Sequence, residues 1–220
     1  MPSQPFIVHS IPGSPFGRAV LAALVEKDAP FTFGAVAPGA HKAEPHLTRH
    51  PFGRVPALEH GDFTLYETQA ILRYLDRTLP GPALTPADPR AAARMDQAMG
   101  VCDWYLFPGV ANVIAFQRVV APKLMGLTPD EAAIEAAMPR AHQVFAELSR
   151  LLGDQAFFGG SQGSLADLLL GCHLDFFALT PEWAPLTNGR PNLTAWLRRM
   201  NERPSFTATT WEKVGALAAA

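Results

Sequence analysis

Apolar positions recur at two different spacings along this chain, and the change from one to the other divides it near residue 80. Pro5 to His9 is a short apolar run that ends in Ser10, Pro12, Gly13 and Pro15, the pattern of a buried strand entering a loop. From Phe16 to Lys27 the apolar residues Ala19, Val20, Ala23 and Leu24 recur at helical spacing, until Asp28-Ala29-Pro30 stops the helix. Phe31 to Val36 reads as a second strand. Ala37 to Pro51 is rich in Pro, Gly and His and has little periodicity, so it is expected to be a loop with one short helix at most. Ala57 to Glu59 and Phe63 to Leu65, separated by His60-Gly61-Asp62, form a predicted hairpin, and Ile71, Leu72 and Leu75 mark one face of a helix over 67–77.

Pro80, Gly81, Pro82, Pro86 and Pro89 then crowd into ten residues, the mark of a linker. Beyond it no period-2 segment stands out. Helical patterns cover roughly 89–118 with a kink at Pro108, then 128–152, 164–178, 191–202 and a frayed last helix from 206. Ser164 followed by Asp167, just before an apolar run, is a capping-box-like helix start. The expected organisation is an α/β domain over 1–79, a linker over 80–88 and an all-α domain over 89–220.

Composition narrows the function. Of 220 residues, 48% are hydrophobic and 17% charged, which excludes a disordered chain, and the net charge of -2 is spread too evenly to grip nucleic acid or an anionic membrane. A small-molecule partner is expected instead. The opening residues lack the basic and apolar regions of a secretory signal, and no apolar run approaches the roughly 18 residues of a membrane span, so a cytoplasmic location is expected. Cys102 and Cys172 lie far apart without a CxxC or a histidine cluster, and read as buried thiols with no metal site.

Three short segments carry candidate chemistry. Ser14 stands in the loop before the first helix, where it can cap that helix or present its hydroxyl to a ligand. Val55-Pro56 opens a strand with a residue that has no N–H, leaving backbone groups beside it unpaired. Glu67-Thr68 begins the third helix, whose N-terminal N–H groups and dipole favour an anion. Each is also a plain structural feature on its own. Their positions at the ends of elements in one small module are what link them.

These residues carry a resemblance. The run HPFGRVPALEHGDFTLYETQAILRYLD (residues 50–76) resembles the glutathione-binding segment of phi-class glutathione transferases, and GAHK (39–42) is similar to the basic loop before it. Ser14, four residues before Arg18, matches the catalytic serine of phi and theta enzymes, and SLADLLL (164–170) resembles the capping motif of their helical domain. The resemblance implies a thioredoxin-like domain followed by a helical bundle. It implies glutathione as co-substrate, no further cofactor and usually a homodimer, with a detoxifying transferase activity and reduction of peroxides as a side activity.

In that reading the Ser14 hydroxyl stabilises the glutathione thiolate, Thr68 and the helix N-terminus hold the γ-glutamyl carboxylate, and Glu67 faces the amine. Val55, before Pro56, pairs its backbone with the cysteinyl unit. His41 and Lys42 meet the glycyl carboxylate, and Arg54 stands where the family often has a neutral glutamine. A small hydrophobic electrophile is expected between the domains against the 89–118 helix, where Trp104, Tyr105 and Phe107 are the lining candidates. Ser10 competes with Ser14 because it directly follows the first strand. A glutaredoxin-like reductase is disfavoured because no cysteine precedes Cys102. The rival from another class is a non-catalytic glutathione-binding or regulatory protein of the same fold.

Overall fold

The expected strand, helix and strand are β1 (Phe6–Ser10), α1 (Pro15–Glu26) and β2 (Phe31–Ala35) in a computed structural model that describes residues 4–219. The following loop contains a 3₁₀ turn at Ala40–Lys42 and one short helix, α2 (His46–Arg49). The hairpin is β3 (Ala57–His60) and β4 (Phe63–Tyr66), and α3 (Thr68–Thr78) closes the module. The strands form one mixed sheet in the order β2-β1-β3-β4, parallel between β1 and β2 and antiparallel elsewhere. This is the thioredoxin-like arrangement that the resemblance implies.

Period-2 alternation along β1 separates two environments. Phe6, Val8 and Ser10 point to the buried side, whereas His9 points to the other and lies 3.0 Å from Glu59 of β3. Glu59 also accepts from Arg49 Nε of α2 at 2.7 Å, so α2 is tied to the face on which His9 and Glu59 stand. The His9 contact first, and Arg49 after it, holds the Glu59 carboxyl below its ordinary range. Helix α1 is buried without a break from Gly17 to Leu24 and packs against α3.

Chain contacts gather into two units, Met1–Ala83 with Glu202–Ala220, and Leu84–Asn201. The sequence ran the helical domain to residue 220. Instead α10 (Pro204–Ala208) packs on α1, and α11 (Trp211–Ala219) contacts β2. Charge fixes this return: Arg203 donates to both carboxylate oxygens of Glu26 at 2.9 and 2.7 Å, and Arg18 donates to the Phe206 carbonyl at 3.3 Å. The second unit begins earlier than the predicted linker end, because Leu84 is buried and its carbonyl accepts from Leu165 N–H.

That unit contains α4 (Pro89–Val101), α5 (Ala121–Met125), α6 (Glu131–Leu152), α7 (Leu165–Phe177), α8 (Trp183–Thr187) and α9 (Pro191–Asn201). The long helix expected over 89–118 is interrupted: α4 continues into π-helical turns over Cys102–Ala111, with Pro108 and Gly109 outside helical geometry. Pro108 cannot donate to the helix ladder, and Gly109 takes φ +79°, which explains the kink. Cys102 and Cys172 are both buried and in no disulfide. No single helix among the described residues is long and apolar enough to cross a membrane.

At the centre lies α7, buried along nearly its whole length. Its predicted capping box forms, with Asp167 accepting from Ser164 N–H at 2.8 Å and from the Ser164 hydroxyl at 2.6 Å. The same carboxylate accepts from Phe158 N–H at 2.9 Å and Trp196 Nε1–H at 2.7 Å, joining α7 to α9 and to the loop before it. Burial pushes the Asp167 carboxyl above its usual range against these four hydrogen bonds. Asp167→Ala strands several buried donors at about 1–3 kcal/mol each. We expect it to lower stability by about 3–5 kcal/mol in urea unfolding, with little change in the slope of the transition.

Candidate functional site

The sheet register brings three of the sequence-predicted segments to one end. Ala57 pairs with His9 on one side and with Tyr66 on the other. The chain therefore leaves β1 toward Ser14, enters β3 through Val55-Pro56 and leaves β4 into Glu67-Thr68 at the same end of the sheet. Among the described residues the Val55 N–H and C=O make no hydrogen bond, because pairing starts at Ala57 and Pro56 has no N–H to give. The Val55-Pro56 peptide is cis, and Val55 is half-buried.

Ser14 is the N-cap of α1. Its Oγ accepts from Gly17 N–H at 3.2 Å, so the hydroxyl's own hydrogen stays available to donate elsewhere. The cap and the donor are thus compatible roles for one side chain. Ser10, the competing serine, is 1% exposed, and its Oγ lies so close under Gly17 that a Cβ there would come within 2.0 Å. It is enclosed beneath α1, whereas Ser14 is half-buried.

At the start of α3, Glu67 is exposed and Thr68 is buried. Glu67 has φ +68° and ψ +113°, a conformation that disfavours a residue with a Cβ. The backbone is bent there so that the chain can turn from β4 directly into α3, whose first N–H groups face the same end of the sheet.

The basic residues come together through Gly53. With φ +55°, a Cβ at Gly53 would lie 2.9 Å from the His41 carbonyl oxygen and 3.1 Å from Lys42 Cδ. That approach sets the 40–42 turn beside Arg54, and both Lys42 and Arg54 are exposed. Burial first, and the nearby Lys42 charge second, lowers the His41 pKa.

Two supporting residues escaped the sequence reading. His46 is buried, and its Nε2–H donates to the Arg54 carbonyl at 2.7 Å. His50 is buried too and packs against Tyr66 with ring centroids 4.8 Å apart and the rings tilted by 36°. Burial holds the His50 imidazole below the usual histidine range. The spacing of His46 and His50 at i and i+4 was the available signal, but a four-residue helix is too short for periodicity to reveal.

The three aromatic candidates in the other unit separate. Trp104 and Tyr105 are 73% and 57% exposed and line a groove of about 950 Å³ with Pro139, Arg140 and Val144 of α6. Phe107 is not in that groove; its ring sits edge-on to His173 at 6.1 Å. Among the described residues no group of three or more His, Cys, Asp or Glu side chains is gathered as for a metal ion.

The strain at residue 67 can be measured. Glu67→Gly removes the Cβ conflict, and we expect a gain of about 0.5–1 kcal/mol in folding stability, read as a higher unfolding midpoint.

The N-terminal domain model of glutathione S-transferases matches residues 4–77, and the C-terminal domain model matches 131–199. A glutathione S-transferase of Hyoscyamus muticus is 33% identical over 203 residues, covering 90% of this chain and 94% of that protein. The crystal structure of glutathione transferase F7 from Populus trichocarpa superposes with a TM-score of 0.81 at 30% identity, over 96% of this chain and 98% of that one. A structure of glutathione S-transferase-I bound with lactoylglutathione gives a TM-score of 0.80 at 28% identity, over 97% and 99% of the two chains.

Proposed function

The chain belongs to the glutathione S-transferase family, and on that premise we propose that Ser14 stabilises a glutathione thiolate for attack on an electrophilic carbon. The observation that carries this reading is the register row His9, Ala57 and Tyr66, from which the three loop ends diverge at one end of the sheet. Glutathione carries two carboxylates, an amine and a thiol, and each finds a matching group there. Thr68 and the N-terminal N–H groups of α3 receive the γ-glutamyl carboxylate, and exposed Glu67 faces its amine. The Val55 N–H and C=O pair with the cysteinyl backbone as an added strand would, with Pro56 opening β3 behind them. His41, Lys42 and Arg54 receive the glycyl carboxylate. Arg54, in place of a neutral residue, adds a full positive charge to that subsite.

The thiol arithmetic needs no general base. A free thiol ionises near pH ~8.5, and lowering that by ~2 units takes about 3 kcal/mol of preference for the thiolate. One hydrogen bond from a hydroxyl to an anion supplies roughly 1.5–3 kcal/mol, and the N-terminus of α1 supplies part of the rest. The Gly17 N–H that Ser14 accepts polarises the hydroxyl in the useful direction. Relatives named as transferases disfavour the rival account, a binding protein without turnover.

The exposed pair Trp104 and Tyr105 fits an interface between two copies better than an electrophile pocket. An aromatic centre with a rim of Gln97, Arg140, Gln143 and Glu147 has the anatomy of a protein interface. Phe107 remains as the aromatic side chain assigned to the electrophile.

Two measurements test these assignments. The ultraviolet difference spectrum of bound glutathione should show a thiolate band well below pH ~8.5 in the wild type, and Ser14→Ala should move it to the range of the free thiol. A thiol that titrates as in water in both proteins would remove Ser14 from the mechanism. In sedimentation, Trp104→Ser with Tyr105→Ser should convert a dimer to monomers. A dimer that persists while electrophile affinity falls would return the pair to the electrophile pocket.

A further inference from the structure

Ser14 ends a turn that has little to hold it. The turn runs from Ile11 to Ser14, closed by Ser14 N–H to the Ile11 carbonyl at 3.0 Å, with Pro12 and Gly13 at its centre. Gly13 takes φ +88°, as the third residue of a type II turn requires. Glycine is also the most permissive backbone unit, and among the described residues one hydrogen bond is made to the Ser14 side chain, the 3.2 Å bond from Gly17 N–H.

One side chain supplies the missing constraint. A Cβ at Gly13 would fall 2.5 Å from Cε2 and 2.6 Å from Cζ2 of Trp211, so the indole lies directly against the turn with no room for a methyl group between them. Trp211 begins α11, and this helix is built differently from α10 before it. Arg203 and Ser205, at the start of α10, are bonded to Glu26, and Phe206 lies under the Arg18 guanidinium at 5.0 Å. Helix α11 buries only Val214, and its Leu217 is 46% exposed. It adds little to the core, yet it delivers the indole that meets the Ser14 turn.

We propose that Trp211 is a positioning residue for thiol activation: its indole braces the Pro12-Gly13 turn and so fixes where the Ser14 hydroxyl points. This rests on the reading of Ser14 given above. Small deviations in a donor's position weaken its hold on an anion, and a rotamer locked by packing avoids them.

The test compares wild type with Trp211→Ala, Trp211→Phe and Val214→Ala, the last loosening α11 through its buried side chain while keeping the indole. Two readouts are taken, the pH titration of the bound thiolate band and kcat/KM with chlorodinitrobenzene at pH ~6.5 and ~9. For Trp211→Ala we expect the thiol midpoint to rise by about one unit, giving about a five-fold loss at the lower pH, where the wild-type thiol is about half ionised. The loss should shrink to less than about two-fold at the higher pH, where the thiol ionises unaided. Trp211→Phe should recover most of the shift, and Val214→Ala should keep the wild-type midpoint. If Trp211→Ala does not fold, Trp211→Leu is read in its place.

An unchanged midpoint in the folded Trp211 variant overturns the inference, as does a loss of equal size at both pH values. A shift in Val214→Ala as large as in Trp211→Ala overturns it too, because the helix and not the indole would then be responsible. A wild type whose bound thiol titrates as in water overturns the role of Ser14 itself, and is recognised by the absence of any low-pH band to lose.

Discussion

The pairing of β3 with β1 on one side and β4 on the other decides where the segments of the candidate site meet. Because Ala57 faces both His9 and Tyr66, three connections leave the sheet at one end. A slip of one residue in β3 would turn Leu58 outward and Glu59 inward, breaking the core and the Arg49–Glu59–His9 link together. Burial and charge therefore enforce the same register. Pro56 sets the limit of that pairing, since it has no N–H and the ladder begins only at the next residue.

Much of this was legible in the chain. Strand and helix signals in the first 80 residues are local, and the structure places β1, α1, β2, the hairpin and α3 within a few residues of the expected positions. Ser14, Val55-Pro56 and Glu67-Thr68 could be singled out because serine, proline and a helix start each have a local meaning. The positive φ at Glu67 could not, because nothing about glutamate announces a strained backbone. His46 and His50 were hidden for another reason: their burial depends on Arg54 and Tyr66, residues 8 and 16 positions away from them.

The aromatic residues of the 89–118 segment do not share one surface. Trp104, Tyr105 and Phe107 were expected to line one pocket against the 89–118 helix. The π-helical turns over Cys102–Ala111 change the angular step between neighbours, and the side chains divide between an exposed groove and a contact with His173. Helical spacing assumes 3.6 residues per turn, so neighbouring side chains turn to different faces where that number changes.

The return of the last helices to the first unit has a consequence for how the protein is made. Helix α1 is finished by residue 26, but its partner α10 does not exist until Pro204 to Ala208 have been synthesised. A nascent chain carrying the whole sheet still lacks the ring and carbonyl of Phe206 that Arg18 binds and the guanidinium that pairs with Glu26. The α/β unit is therefore discontinuous along the ribosome's output, and the helical unit inserted within it can be complete first. Cutting the gene at the proline-rich linker would yield an N-terminal fragment with α1 partly uncovered, and it would not isolate a domain.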